Sequence, residues 1–362
     1  MNYSPPRIKL FGFGGCGCNT VTELFNLFGD QIEMVAANTD KFSLSQCRSH
    51  RKILLGENTC QGLGTGGDKK LGGLAAEESY RELIDEIKEA SLVFFTAGMG
   101  GGTGSGAIEI AARISSSLDI PSISFVALPF SFESDARKAN AYEATLALQP
   151  YTNTLITIPN DKLLLSSEKA IPIVEAFKNA NSILRKYLSG LLDLIDHTGI
   201  MHIDLSYIIN AINSQDGVFI CRGESKGSEA IEAVLEDAFN IPLLEGEQFK
   251  QTNDIVMKLS GNISVRDTKK AISTLQEKIS PHVDITPIIA SNEQNENSSV
   301  SLLMSGIGAL PISYPISWSK KPRSEGNIRI HDNKKASEKD ELQLEQFQDI
   351  LEVPAFLRKA HN

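Results

Sequence analysis

Short apolar runs alternate with amphipathic segments over roughly the first 160 residues of the chain. The apolar runs predict buried β-strands and lie at residues 8–11, 34–38, 92–95, 123–128 and 155–158. Between them, apolar residues recur every three or four positions, as on one face of a helix. Strands that alternate with helices predict an α/β fold with a doubly wound, mostly parallel sheet. On such sheets, ligands bind at the carboxyl ends of the strands.

Glycine-rich stretches follow several of these runs, at residues 12–19, 62–68 and 98–106. The third has six glycines and lies between a predicted strand and an apolar, alanine-rich segment, which predicts a strand, a glycine loop and a helix. Glycine leaves backbone N–H groups uncovered, and a helix N-terminus carries partial positive charge, so this stretch predicts a polyphosphate site. The alternative is a flexible linker, but a linker would not lie between a buried strand and an apolar helix.

A second hypothesis comes from the first glycine-rich stretch, which contains G-x-G-x-x-G at Gly12, Gly14 and Gly17. Alone, this pattern is a weak signal of dinucleotide binding. Asp40 lies roughly where a dinucleotide-binding fold keeps its ribose-binding acid. A nicotinamide-dependent oxidoreductase is therefore one alternative. It leaves the third glycine-rich stretch, the long central helix and the C-terminal peptide unexplained.

The chain beyond residue 171 has a different organisation. Apolar side chains recur at threes and fours from Pro172 to about Ile195 and predict one long helix. Four further apolar runs predict strands of a second, smaller α/β domain and lie at residues 218–221, 254–259, 285–289 and 300–304. We therefore expect a binding domain at 1–171, a central helix at 172–198 and a second domain at 199–309.

The C-terminal part turns polar and charged, which predicts a disordered linker at residues 310–348. Residues 349–362 regain apolar side chains, which is typical of a docking peptide, with a frayed end as the alternative.

Composition excludes several classes of protein. The formal net charge is −10, from 35 basic and 45 acidic residues, which argues against a nucleic-acid partner. The sequence contains no run of about 18 apolar residues, so it predicts no membrane span. Its N-terminus lacks the pattern of a signal peptide. The five cysteines are odd in number and lack metal-ligand spacing, so we expect a reducing cytoplasm and no metal held by side chains.

These features occur together in one family. The chain resembles FtsZ, the bacterial tubulin homologue that polymerises into the cell-division ring, over residues 8–308 and again over 349–359. Four motifs carry the resemblance: residues 100–106, residues 129–133 with Arg137, residues 158–161 and residues 353–358. The resemblance implies a GTPase with a Rossmann-like binding domain that assembles head-to-tail into filaments.

By this resemblance, a set of residues contacts GTP or GDP. The set comprises Gly15, Cys16, Gly17, Cys18, Asn19, Gly101, Gly102, Thr103, Gly104, Ser105, Gly106, Glu133, Arg137, Phe177 and Asn181. Thr103 and Ser105 would add hydroxyl donors to the phosphate site. Phe177 and Asn181, four apart on a helix, would stack on the base and pair with its edge. An ordinary salt bridge between Glu133 and Arg137, and core packing of Phe177, are the alternatives.

Cys16 and Cys18 stand where the family carries glycine. Positive φ would strain a cysteine, so we expect negative φ at both positions.

The chain departs from the family in the loop that enters the neighbouring subunit's nucleotide site, which normally reads Asn-x-Asp-x-x-Asp. Here His202 replaces Asn, Asp204 is retained, and Tyr207 replaces the second Asp. The resemblance makes Asp204 a candidate catalytic residue, with the N-cap of the following helix as its alternative role, and His202 a candidate substitute base. A neutral tyrosine cannot orient water or a cation as a carboxylate does. We therefore expect slow hydrolysis, or hydrolysis that needs a partner with an intact loop.

The resemblance also implies partners and a location. Mg²⁺ would be held mainly by phosphates and water, and membrane-anchoring division adaptors would bind residues 349–359. The protein would work in the cytoplasm, at the mid-cell division site on the inner face of the membrane. A hydrolysis-deficient paralogue that modulates or copolymerises with a standard FtsZ is the alternative function.

Overall fold

A computed structural model describes most of the chain before residue 307. The described residues are 7–161, 173–195, 205–213, 218–225, 231–240, 250, 252–261, 263–291 and 298–306, and side chains of the helix at 173–195 are described from residue 181. The linker predicted at 310–348 and the tail predicted at 349–362 lie outside the described residues, as do His202 and Asp204.

Six parallel strands form the first sheet. They are β1 (Ile8–Phe13), β2 (Glu33–Asn38), β3 (Arg51–Leu54), β4 (Leu92–Gly98), β5 (Ser122–Leu128) and β6 (Thr154–Pro159). Their order is β3-β2-β1-β4-β5-β6, the doubly wound order in which the chain leaves the middle of the sheet towards both edges. The predicted α/β fold is confirmed, and its strands match the apolar runs except β3, whose first two residues are exposed.

Helices cover this sheet on both faces. They are α1 (Gly14–Phe28), α2 (Lys41–Gln46), α3 (Glu57–Cys60), α4 (Lys69–Glu78), α5 (Tyr80–Ile87), α6 (Gly102–Ser117) and α7 (Asp135–Leu148). α4 and α5 are two separate helices. α4 begins at Lys69 because the Asp68 carboxylate accepts from the N–H groups of Lys70 and Leu71, and Ser79 separates it from α5.

The structure contradicts the expectation of glycine loops after β1 and β4, because most of these glycines are helical. α1 begins at Gly14 and α6 at Gly102, so Gly15 to Cys18 and Gly102 to Gly106 lie in first turns of helices rather than in loops. The physical reason is close packing, which the next subsection describes.

The second sheet has four strands, β7 (Val218–Ser225), β8 (Asp254–Gly261), β9 (Asp284–Ser291) and β10 (Ser298–Ser305). Their order is β7-β10-β8-β9, with β10 antiparallel to both neighbours and β8 parallel to β9. The helices of this part are α8 (Ile173–Ile195), α9 (Leu205–Asn213), α10 (Ile231–Phe239) and α11 (Val265–Lys278). Both sheets belong to one compact unit, Met1–Pro311.

α8 connects the cores of the two sheets. Tyr187, fully buried, makes edge contacts with Phe125 of β5 and Phe219 of β7, at ring-centroid distances of 4.9 and 5.8 Å. At Gly190 an added Cβ would lie 2.8 Å from the Ile220 side chain, so the helix lies directly on β7. One continuous apolar cluster therefore extends from the first sheet through α8 to the second.

No helix in the part of the chain that the structure describes has both the length and the apolar character needed to cross a membrane.

Candidate functional site

The site lies where β1 and β4 pair in parallel at the middle of the first sheet. From β1 the chain continues to one edge of the sheet, and from β4 it continues to the other. α1 and α6 therefore begin side by side at the carboxyl ends of these strands. This switch point is where doubly wound sheets bind their ligands.

Both helices begin without a side-chain cap. The N-cap residues are Phe13 for α1 and Gly101 for α6, neither makes a side-chain cap hydrogen bond, and neither helix has an acidic residue in its first turn. The first N–H groups of a helix have no partner within it. Two sets of such donors, each at the positive end of a helix dipole, converge on the same place and suit an anion.

Close packing explains why the first turns are rich in glycine. A Cβ on Gly17 would lie 2.5 Å from the Thr96 carbonyl oxygen, and one on Gly104 would lie 2.8 Å from that of Gly98. A Cβ on Gly102 would lie 2.1 Å from the Thr65 hydroxyl. These glycines let α1 and α6 approach the backbone around them. By contrast, nothing lies within 4 Å of a Cβ added at Gly15 or Gly101, so those two positions are open.

Cys16 and Cys18 lie in the first turns of α1, and neither is among the described non-glycine residues with positive φ. The predicted negative φ is confirmed. Cys16 lines the cavity described below, whereas Cys18 is buried against the core. Burial raises the pKa of the Cys16 thiol to about 11, although Arg137 opposes this rise, so the thiol is neutral at pH 7.

The hydroxyls of Thr103 and Ser105 are already used within the protein. The Thr103 hydroxyl lies 2.6 Å from that of Thr39, and the Ser105 hydroxyl accepts a 2.8 Å bond from the Gly100 N–H. Ser105 is fully buried. In this structure the two residues therefore hold the turn between β4 and α6, and their direct contact with phosphate stays a prediction.

A cavity of about 440 Å³ is lined by the start of α1 and by the end of β4, from which the chain enters α6. Cys16, Asn19, Glu133, Arg137 and Asn181, all predicted site residues, are among its lining side chains. The structure thus brings together residues from α1, α7, α8 and the segment after β5.

Glu133 and Arg137 pair across one turn at the start of α7. The Glu133 carboxylate lies 3.0 Å from the Arg137 guanidinium and also accepts a 2.8 Å bond from the Phe130 N–H. The ordinary salt bridge, one of the two expected roles, is therefore present. Since both side chains also line the cavity, it does not exclude contact with a ligand.

Asn181 lies on α8 and faces α1. Its amide oxygen accepts a 2.9 Å bond from the Thr20 hydroxyl, and its amide nitrogen donates a 2.7 Å bond to Glu23. Phe177 lies one helical turn earlier on α8, but its side chain is outside the described set. Asn181 is thus oriented by its neighbours at the wall of the cavity.

Asn160 is a cavity residue that sequence reasoning missed as a separate member of the site. It is 4% exposed and lines the cavity, and its side-chain oxygen has no hydrogen-bond partner among the described residues. A buried polar atom without a partner is costly, so this oxygen is a ready contact for a ligand donor. The motif at residues 158–161 was the available signal.

Aromatic side chains line the open side of the cavity. Phe132 is 68% exposed and stacks on the buried Phe130 at a centroid distance of 4.9 Å. An exposed ring held by a buried one offers a flat apolar surface to a ligand.

Asp40 does not support the dinucleotide hypothesis. Its carboxylate caps α2, accepting bonds from both the N–H and the hydroxyl of Ser43, at 3.0 and 2.9 Å. These bonds lower the pKa of Asp40. The acid is therefore committed to the helix cap, and it does not line the cavity.

Of the three residues named for the predicted catalytic loop, His202, Asp204 and Tyr207, the structure describes Tyr207. It lies in the first turn of α9 and is 49% exposed. Its exposure leaves it accessible to another molecule.

Comparisons with known proteins agree with this geometry. Residues 7–168 match the tubulin/FtsZ family, GTPase domain. "Cell division protein FtsZ 1" from Pyrococcus furiosus is 35% identical over 280 residues, covering 77% of this chain and 75% of that protein. The chain belongs to the tubulin/FtsZ family.

Solved FtsZ structures show the same fold. A point mutant of FtsZ from M. jannaschii is 31% identical, with a TM-score of 0.71 over 83% of this chain and 91% of that one. The structure described as "FtsZ dimer, empty", also from M. jannaschii, gives a TM-score of 0.72 over 89% of this chain and 96% of that one, at 28% identity.

Both uncapped helices and most residues that line the cavity lie within the GTPase domain, so the ligand class is GTP or GDP. In the described ranges, no group of three His, Cys, Asp or Glu side chains is arranged to hold a metal ion.

Proposed function

We propose that this chain binds GTP, assembles head-to-tail into filaments of the cell-division ring, and hydrolyses GTP slowly where two subunits meet. The observation that carries the binding step is that two uncapped helix N-termini lie side by side, and that the start of α1 and the end of β4, which leads into α6, line one cavity. Their free N–H groups would bind the phosphates, with Gly15 to Asn19 on one side and Gly101 to Gly106 on the other. The orphan oxygen of Asn160 would accept from the base or ribose.

Glu133 and Arg137 would contact the nucleotide at the rim of the same cavity, while Phe177 and Asn181 would recognise the base from α8. An amide both donates and accepts, so Asn181 can pair with the N1–H and O6 edge of guanine. Mg²⁺ would be held mainly by the phosphates and water, where it would offset the charge that develops during phosphoryl transfer.

Assembly completes the site in this proposal. The similarity to an FtsZ that was solved as a dimer supports self-association. Asp204 of one subunit would act on the GTP of its neighbour, assisted by His202, and the exposed Tyr207 would occupy the place of a second carboxylate. Since tyrosine is neutral at pH 7, turnover would be slow.

Residues 349–359 would bind a membrane-anchoring adaptor and so bring the filament to the inner face of the membrane at mid-cell. Val353, Ala355, Phe356 and Leu357 would fill an apolar groove, and Arg358 would match acidic charge. Deleting residues 349–362 should abolish adaptor binding and leave assembly intact. A loss of assembly would contradict this role.

GTP turnover measured across protein concentration tests the proposal. Activity per subunit should rise with concentration, because each site needs two subunits. Tyr207→Asp should raise turnover, with Tyr207→Phe as the matched control that leaves it unchanged. Turnover independent of concentration would contradict the composite site.

A second function, a paralogue that modulates a standard FtsZ, is favoured by the change at Tyr207. It predicts little turnover alone and strong turnover in mixed filaments. Pelleting and turnover assays with and without a standard FtsZ separate the two functions.

A further inference from the structure

A buried cluster of charged and polar side chains joins α8 to the second sheet. Lys258 of β8 is 1% exposed, and its ammonium group donates to the backbone carbonyl of Asp193 on α8. The same ammonium lies 3.6 Å from the Asp193 carboxylate. On the other carboxylate oxygen, the Ser301 hydroxyl donates a 2.6 Å bond and the Arg222 guanidinium lies 3.5 Å away.

This arrangement holds the end of the helix. Asp193 lies in the last turn of α8, which ends at Ile195, and the last carbonyls of a helix have no partner within it. A cation at this end satisfies such a carbonyl and opposes the negative end of the helix dipole. Because a buried ammonium is costly unless it is paired, the positions of Lys258 and Asp193 depend on each other.

The middle of α8 is bonded to a helix that lines the nucleotide cavity. Asn181 bonds to Thr20 and Glu23 of α1, one turn or less from the candidate phosphate-binding residues. α8 is thus a rigid connection between the cavity and the cluster around Lys258. The chain continues from Ile195 towards Asp204, and α9 begins directly after that residue.

We propose that Lys258 is a positioning residue for hydrolysis between subunits, because it fixes on the second sheet the helix end from which the chain continues to Asp204 and Tyr207. This inference rests on the proposed function. It assigns Lys258 and Asp193 no contact with GTP, so their role concerns the neighbouring subunit's site and not nucleotide binding in their own.

Lys258→Met tests this role, since Met keeps an unbranched apolar stem of similar length and removes the charge. We expect GTP affinity within twofold of the unmodified chain, and turnover in assembled protein reduced at least tenfold. Lys186→Met is the matched control. This variant removes another ion pair of α8, the 2.9 Å contact between Lys186 and Asp237 of α10. Lys186 lies more than two helical turns before the end of α8. The turnover of Lys186→Met should stay within twofold.

Complementation distinguishes positioning from general damage. Arg137→Glu should prevent GTP binding at its own cavity, because it places a second carboxylate beside Glu133, yet it keeps the cluster around Lys258. Alone, each variant should show little turnover. Mixed, Arg137→Glu subunits should supply a correctly placed segment to the GTP-loaded sites of Lys258→Met subunits, and turnover should recover severalfold.

Each outcome is decisive. Recovery in the mixture together with unchanged GTP affinity supports the proposal. Full turnover by Lys258→Met, or a mixture no more active than the sum of its parts, overturns it. If Lys258→Met does not fold, Ser301→Ala replaces it, because this variant removes only one bond to Asp193. It should lower turnover about threefold without altering GTP affinity, and unaltered turnover overturns the proposal. If the unmodified chain shows no turnover at any concentration, the proposed function itself fails.

Discussion

Two helices of this protein that follow buried strands begin in opposite ways. α6, after β4, has Gly101 at its N-cap and no side-chain cap. α11, after β8, begins with a complete capping box, in which the Ser264 hydroxyl accepts from the Asp267 N–H and the Asp267 carboxylate accepts from the Ser264 N–H. Side chains of α11 therefore bond to N–H groups at its own start, whereas no side chain caps the N–H groups at the start of α6, which leaves them available to a ligand.

Other helices beside the first sheet do have side-chain partners for their first N–H groups. Asp68 caps α4 and Ser134 caps α7. The four-residue α3 lacks a capping side chain at Gly56, but Glu78 of α4 accepts from the N–H groups of Asn58 and Thr59 instead. α5 also lacks a side-chain cap, but it follows α4 directly, since Ser79 ends one helix and begins the other. The open starts of α1 and α6 instead follow buried strands, and they coincide with the switch point of the sheet. An uncapped helix start is informative when neighbouring helices are capped.

Adding a side-chain cap to α6 should have the largest effect of the predicted changes on GTP affinity. Gly101→Asp would place a capping carboxylate in extended backbone where nothing lies within 4 Å of the new Cβ. We expect the empty protein to gain about 1 kcal/mol in free energy of unfolding. GTP affinity should fall about 100-fold, equivalent to about 2.7 kcal/mol, because the carboxylate takes the phosphate's donors and repels it.

Gly101→Asn is the matched neutral cap, and it should lose less GTP affinity than Gly101→Asp. Ser264→Ala, at the closed end of α11, should cost about 1 kcal/mol of stability and leave GTP affinity unchanged. Isothermal titration and urea unfolding measure both quantities. Equal GTP affinity for Gly101→Asp and the unmodified chain would contradict the idea that the uncapped N–H groups of α6 bind phosphate.

The next largest effect concerns stability and comes from the close packing of α1 against the sheet. Gly17→Ala adds a methyl group 2.5 Å from the Thr96 carbonyl and should lower the free energy of unfolding by about 2 kcal/mol. Gly15→Ala, two residues earlier on the same helix, meets nothing within 4 Å and should leave stability unchanged or slightly higher. Urea midpoints compare the two, and similar destabilisation by both would be evidence against packing as the cause.

Asn160→Leu sharpens the contrast between satisfied and unsatisfied groups. The substitution removes a buried oxygen without a partner, so the empty protein should keep or gain stability. GTP affinity should fall about tenfold, or about 1.4 kcal/mol, through loss of one hydrogen bond. Asn153→Leu is the control, since its amide already has partners outside the cavity. A clear loss of stability in Asn160→Leu would show that this oxygen is satisfied without ligand.

The smallest expected effect concerns pH. The Thr59 hydroxyl, with the N–H groups of Asn58 and Thr59, lowers the pKa of Glu78 to about 2 from a usual value of 4.5. The folded state therefore binds this proton less readily than the unfolded state. The stabilisation is complete above pH 4.5 and is lost as pH falls towards 2. In Glu78→Gln, stability should depend less on pH within that window, and a pH profile identical to that of the unmodified chain would contradict the assignment.

Local pattern was sufficient for the strands. Apolar runs placed β1, β2, β4, β5 and β6 because all are buried on both faces, and such strands read as continuous apolar segments. β3 was missed because Arg51 and Lys52 are exposed at the sheet edge, where local pattern resembles a loop. The motifs likewise led to the family, which the comparisons then established.

The role of the glycines was decided by the tertiary structure. From the sequence, Gly17, Gly102 and Gly104 suggest glycine loops, because glycine is the default residue of turns. In the fold they are helical, and they are small because neighbouring backbone lies within 3 Å of where a Cβ would be. Contacts between segments distant in sequence impose that requirement, so no local pattern contains it.

The sequence by itself thus determined the strands other than β3, the family and several residues around the cavity, because these depend on local composition and motif. Only the tertiary structure decided that two helices start uncapped at one place, that the Asn160 oxygen lacks a partner, and that Lys258 holds the end of α8. Each of these is a relation between groups on different elements. Whether a polar group is satisfied or available to a ligand depends on such neighbours, and folding alone brings them together.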